Sequence, residues 1–136
     1  MGELSVVPAN EASWDDLQAV FGAPSDPARC QCQRYKTLGW HWDIPPEVHA
    51  DRLREQTNCD DPDSTTTSGL VAYLDGVPVG WCAVEPRVAY VRLRRSPTVY
   101  RGRPDEDKDD DGVWAVTCFA TRVGYRRRGI TYAGCR

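Results

Sequence analysis

Apolar and polar positions along the chain change period partway, from spacings that suit helices to spacings that suit strands. Leu4-Ser5-Val6-Val7-Pro8 reads as a short opening strand. Residues 10–21 follow with Trp14, Leu17, Ala19, Val20 and Phe21 placed for the one-sided stripe of a helix, and Gly22-Ala23-Pro24 stops it. From Asp26-Pro27 no clear period holds through Cys30-Gln31-Cys32 and the aromatics Tyr35, Trp40 and Trp42. A second helix is expected from Pro46 to about Glu55, because proline suits the first helical position and Glu47 there complements the helix dipole.

Residues 58–68 are a polar loop made almost wholly of Asp, Ser and Thr. Beyond them residues 70–74 and 77–84 flank Asp75-Gly76, a dipeptide suited to the type I′ turn, whose two central residues both need positive φ. An antiparallel hairpin follows. Residues 87–95 fit either a short helix or an alternating strand, and 96–112 form a long loop closing on the acidic run 105–111. Residues 113–121 are apolar at nearly every position, the expectation for a central strand covered on both faces. No internal repeat interrupts this order, so the pattern is that of an α/β protein.

A length of 136 residues suits one domain, and 40% hydrophobic with 27% charged residues at a mean hydropathy of -0.57 describes a globule that stays in water. No run approaches the roughly 18 apolar residues of a membrane span. Met1-Gly2-Glu3-Leu4 lacks the basic-then-apolar layout of a secretory signal, so a cytoplasmic location and no membrane partner are expected. Six cysteines, at 30, 32, 59, 82, 118 and 135, are too sparse for a disulfide scaffold and are expected as reduced, mostly buried thiols. Charge is uneven: residues 1–68 carry 5 basic and 12 acidic side chains, residues 69–136 carry 12 and 8. An anionic ligand is therefore drawn to the second half.

That half contains the segment richest in chemistry, Cys118-Phe119-Ala120-Thr121-Arg122-Val123-Gly124-Tyr125-Arg126-Arg127-Arg128-Gly129-Ile130-Thr131-Tyr132-Ala133. It sets an apolar strand, a turn rich in arginine and glycine, and a helix start in direct succession. Unpaired N–H groups at a helix start bind phosphate, Gly129 admits a ligand close to the backbone, and Arg126, Arg127 and Arg128 add bidentate donors. The residues themselves thus describe a cradle for a pyrophosphate.

The same segment resembles motif A of the GCN5-related N-acetyltransferases, whose loop follows Arg/Gln-x-x-Gly-x-Gly/Ala. Here it reads Arg126-Arg127-Arg128-Gly129-Ile130-Thr131, with Thr131 in place of the last small residue and Val123 where proline is common. The upstream order of strand, two helices, hairpin and long strand is similar over essentially the whole chain. The resemblance implies a mixed central sheet with flanking helices and an acetyl-CoA site. The pantetheine arm would pair with the backbone of Phe119, Ala120 and Thr121, and the pyrophosphate would lie on the amides of residues 127–131. A substrate amine, on a small molecule or a peptide, would attack the thioester directly, with a backbone N–H steadying the oxyanion.

Residues 113–121 hold no carboxylate, which leaves Glu85, at the end of the hairpin's second strand, as the candidate base. The family's later strands and helix have no counterpart before Arg136, so the expectation is a single, incomplete acetyltransferase domain over residues 1–136, its C-terminal strands missing. An open sheet edge of that kind calls for a second copy or a complementary fragment. The alternative to an enzyme is a module that binds CoA or a partner chain without turnover.

Other constellations are weaker. Cys30 and Cys32 with His41, His49 and Cys59 hold zinc-type ligand atoms, but Cys-x-Cys is tighter than the usual gap and the remaining candidates come singly. Asp107, Asp109, Asp111 and Gly112 fit the opening of a calcium loop, yet its twelfth position is Cys118 rather than Glu. Arg87, Arg92, Arg94, Arg95, Arg101 and Arg103 form a looser basic stretch, and the pI near 5.3 argues against a nucleic-acid partner.

Overall fold

The computed structural model describes residues 2–22, 26–37 and 44–126. In chain order these form β1 (Leu4–Pro8), α1 (Trp14–Phe21), α2 (Asp26–Cys30), α3 (Pro46–Thr57), β2 (Gly69–Leu74), β3 (Val77–Pro86), α4 (Val91–Arg94) and β4 (Trp114–Thr121), with 3-10 turns at Ala9–Glu11, Arg34–Lys36 and Arg87–Ala89. The four strands make one sheet in the order β1-β2-β3-β4, and every pair is antiparallel. The chain is therefore α/β, but no parallel pair, and so no mixed sheet, occurs among the described residues.

The first helix starts later than its periodicity suggests. Ser13 is its N-cap and accepts a hydrogen bond from the Asp16 amide at 3.0 Å, so α1 begins at Trp14 rather than at residue 10. Asn10 has another use: its buried amide donates to the carbonyls of Asp61 (3.1 Å) and Ser64 (3.0 Å) and pins the polar loop 58–68. The second helix opens on Pro46 as expected and runs on to Thr57, where Asn58 caps it in the left-handed region at φ 55°. Between them, α2 and the turn Arg34–Lys36 are too short to leave a period in the sequence.

The hairpin forms at the expected dipeptide, with Asp75 at φ 51° and Gly76 at φ 81°. Asp75 also joins the sheet edge, since its Oδ1 accepts from the Glu3 amide at 2.8 Å and its own amide donates to the Glu3 carbonyl at 2.9 Å. Of the two readings for residues 87–95 the helical one holds, as a 3-10 turn and then α4. Buried Arg87 organises the loop that follows. It donates to Glu106 (2.8 Å) and to the Asp107 carbonyl (2.9 Å), and its guanidinium lies 5.1 Å from the Tyr100 ring centre.

One face of the sheet carries the main core. Leu17, Val20 and Phe21 of α1 and Leu53 of α3 pack on Val71, Trp81 and Ala83, with Phe21 edge-on to Trp81 at 6.3 Å between ring centres. The opposite face holds a smaller cluster in which Leu4, Val6, Leu74 and Tyr125 surround Ala72 and Val79.

β4 is not covered on both faces as its apolar run suggests, and among the described residues it carries the open edge expected of an incomplete sheet. Among the described residues it pairs only with β3, and Trp114, Val116 and Phe119 are 62%, 52% and 43% exposed. A run of apolar residues looks the same in sequence whether its second face is covered or open, so periodicity does not separate the two cases. The ladder between β3 and β4 also slips: Ala83 pairs with Cys118 but Val84 pairs with Val116, which leaves Thr117 as an extra residue on β4. This bulge shifts the alternation by one, so Ala115 and Thr117 before it and Cys118 and Ala120 after it are all partly buried.

Candidate functional site

β4 and its continuation place the expected ligand strand at the edge of the sheet formed by the described residues. The Arg122 amide donates to the Val79 carbonyl at 2.8 Å, so by the alternation of an antiparallel ladder Ala120 faces β3 and the backbone groups of Phe119 and Thr121 face away from it. The Thr121 carbonyl accepts from Arg126 Nε at 3.5 Å, as that orientation requires. The turn is held by the Tyr125 amide donating to the Arg122 carbonyl at 3.0 Å, by Arg122 Nη1 donating to the Pro78 carbonyl at 3.2 Å, and by Gly124 at φ 96°. Arg126 is exposed. Arg127, Arg128, Gly129, Ile130 and Thr131, the expected cradle, lie outside the described residues.

Glu85 lies one ladder step beyond the bulge, opposite Ala115. It is not a solvated strand end: its carboxylate is ion-paired with Lys36, and the two side chains are 17% and 11% exposed. The Lys36 ammonium also lies 5.4 Å from the centre of the Tyr90 ring. Burial pushes the Tyr90 phenol up to about 12; Glu85, Cys32 and Cys82 add to the rise, and Thr117, at the bulge, opposes it. Lys36, Glu85, Tyr90 and Thr117 thus form one half-buried polar group beside the bulge. The Lys36 ammonium sits on Oε1 of the carboxylate that is the candidate base. The sequence gives no hint of this pairing, because Lys36 and Glu85 are 49 positions apart and joined only by the fold.

On the same sheet face the turn at 31–33 brings Cys32 to β4. Its Sγ donates to Cys118 Sγ at 3.0 Å and accepts from Trp81 Nε1 at 3.1 Å. Buried glutamines fix this turn: Gln31 and Gln18 exchange amide hydrogen bonds at 2.8 and 3.1 Å, and Gln33 and Gln56 do the same at 2.8 and 2.9 Å. Cys30, Cys59 and Cys82 are also thiols. Among the described residues no three of His, Cys, Asp and Glu converge as a metal-binding group; His49 is buried on α3, and His41 lies outside the described residues.

The acidic run closes on itself. Asp107 accepts from the Asp109 amide and Asp110 from the Gly112 amide, each at 2.9 Å, while Asp109 is ion-paired with Arg94. An open cleft of about 380 Å³ lies elsewhere, among α1, α2 and α3, and is lined by Gln18, Gln31 and Glu47 but by none of the expected site residues. Among the described residues no helix is long and apolar enough to cross a membrane.

Comparison with protein-family models, with curated proteins and with solved structures returns no match to this chain.

Proposed function

We propose that the chain is an acetyl-CoA-dependent N-acetyltransferase of the GCN5-related type, acting on a primary amine of a small molecule or peptide. The observation that carries this reading is the bulged strand β4, whose edge groups at Phe119 and Thr121 stand clear of β3 and lead straight into the arginine- and glycine-rich turn. A thioester bound there would supply the acyl group and the leaving thiol. Phe119 and Thr121 offer amides and carbonyls to an amide-bearing arm, in the manner of an added strand. Arg126 and the arginines after it offer charge-assisted donors to phosphate. The bulge interrupts the ladder at Thr117, beside Glu85 and Tyr90, and a backbone N–H freed there would steady the developing oxyanion. Glu85 is the carboxylate available to take the amine proton.

The ion pair of Glu85 with Lys36 favours a second reading, a module that binds acetyl-CoA or a partner without turnover. A thioester-cleavage assay on the full chain, scanned over primary amines, separates the two: amine-dependent release of free thiol supports the enzyme, and saturable binding without release supports the module. We further propose that the open edge of β4 pairs with a second copy or a complementary fragment. Sedimentation at micromolar concentration tests this, and a strictly monomeric species contradicts it.

A further inference from the structure

The two sulfurs that meet between the 31–33 turn and β4 serve neither role above. Cys32 Sγ and Cys118 Sγ are 3.0 Å apart although 86 positions separate them in the chain, and both are half-buried thiols. A disulfide needs the sulfurs about 1 Å closer, a change within reach of side-chain rotation. The turn that carries Cys32 is already set for the encounter. Gln31 and Cys32 adopt successive positive φ of 49° and 58°, a conformation unusual for residues with a Cβ, and the paired glutamines on both sides fix it. Trp81 Nε1 aims a third group at the same sulfur, 3.1 Å away.

We propose that Cys32 and Cys118 form a reversible intramolecular disulfide when the chain meets a low-molecular-weight disulfide, a modification that ties the 31–32 turn to β4. Cys118 is the attacking thiol. The hydrogen bond from Cys32 lowers the Cys118 thiol, while the same contact, with burial, holds Cys32 well above the usual range. The Cys118 thiolate attacks one sulfur of the small disulfide and expels the other as a thiolate. Cys32 then gives up its proton, attacks Cys118 Sγ and expels the second small thiol. Two protein thiols are oxidised by two electrons, and one small disulfide is reduced to two thiols. The bond would sit one residue before Phe119, so it would fix β4 beside the open edge whether or not that edge takes an acyl-CoA.

The test incubates the full chain with glutathione disulfide and maps its cysteines by mass spectrometry. The expected product has the mass of a single chain under denaturing conditions, has two fewer free thiols, links the peptide of Cys118 to that of Cys32, and reverts with dithiothreitol. Closing so long a loop should raise the thermal midpoint by roughly 5–15 °C. Trypsin leaves Cys30 and Cys32 on one peptide, so the Cys30→Ser variant identifies the partner: it should keep the link, and Cys118→Ser should lose it. A full count of thiols, a glutathione adduct that persists on Cys118, a link through Cys30 or a link between two chains each overturns the proposal. If Cys30→Ser fails to fold, fragmentation of the linked peptide between Cys30 and Cys32 in the mass spectrometer places the bond on one or the other.

Discussion

Buried amides do much of the work of placing single residues. Gln33 is almost fully buried and satisfies its side-chain amide on Gln56 and on the Gln31 carbonyl, so Gln33→Ala strands several polar atoms away from water. A loss of about 1–3 kcal/mol in urea unfolding is expected. His49 gives a pH-dependent counterpart. Burial, with help from Arg52, holds its imidazolium below the ordinary value of 6.5, so the folded chain favours the neutral ring and the unfolded chain takes up the proton first. The stability tied to neutral His49 is complete above pH 6.5 and is lost as the pH falls below it, down to the folded value. The thermal midpoint should therefore drop between pH 7 and 5, and His49→Gln should flatten that slope. Glu85 is the residue at which the acyl-transfer reading is most exposed: Glu85→Gln should leave acetyl-CoA binding intact and lower the transfer rate at least tenfold, and an unchanged rate removes its role as base.

Among the elements, the β2–β3 hairpin was legible from Asp75-Gly76 alone, because only a few residue types accept positive φ at both turn positions. Two of its glycines, Gly69 and Gly76, differ in kind. At Gly76 an added Cβ meets open space but the φ of +81° strains it, so Gly76→Ala should cost about 1–2 kcal/mol. At Gly69 a Cβ would lie 2.3 Å from the Cys82 carbonyl and 2.4 Å from the Trp81 ring, so Gly69→Ala should cost roughly 3 kcal/mol or prevent folding. Equilibrium denaturation of the two variants checks the order. The helix at Pro46 was equally legible, because the proline and the acidic first turn mark its start. What the sequence concealed are features that depend on distant partners: the bulge at Thr117, and the pairs Lys36 with Glu85 and Cys32 with Cys118. No local signal in the composition of residues 113–121 says whether a neighbour covers them.

At the scale of the whole molecule, an acidic first half packs helices on one face of the sheet, and the second half carries the basic turn at the end of β4. The other sheet face leaves Trp114, Val116 and Phe119 exposed in one row, a patch of the kind that attracts a partner. If a second copy takes that place, Val116→Lys should lower the association seen in sedimentation while circular dichroism shows the variant still folded. The central claim is that the strand edge at Phe119 and Thr121, with the arginines that follow, holds an acyl-CoA. Calorimetric titration of the full chain with acetyl-CoA tests it most directly, alongside circular dichroism that shows the chain folded. The account predicts saturable one-to-one binding that weakens with added salt and is lost when Arg126 and Arg128 are both changed to alanine. A folded chain that gives no heat of binding with acetyl-CoA at millimolar concentration contradicts it.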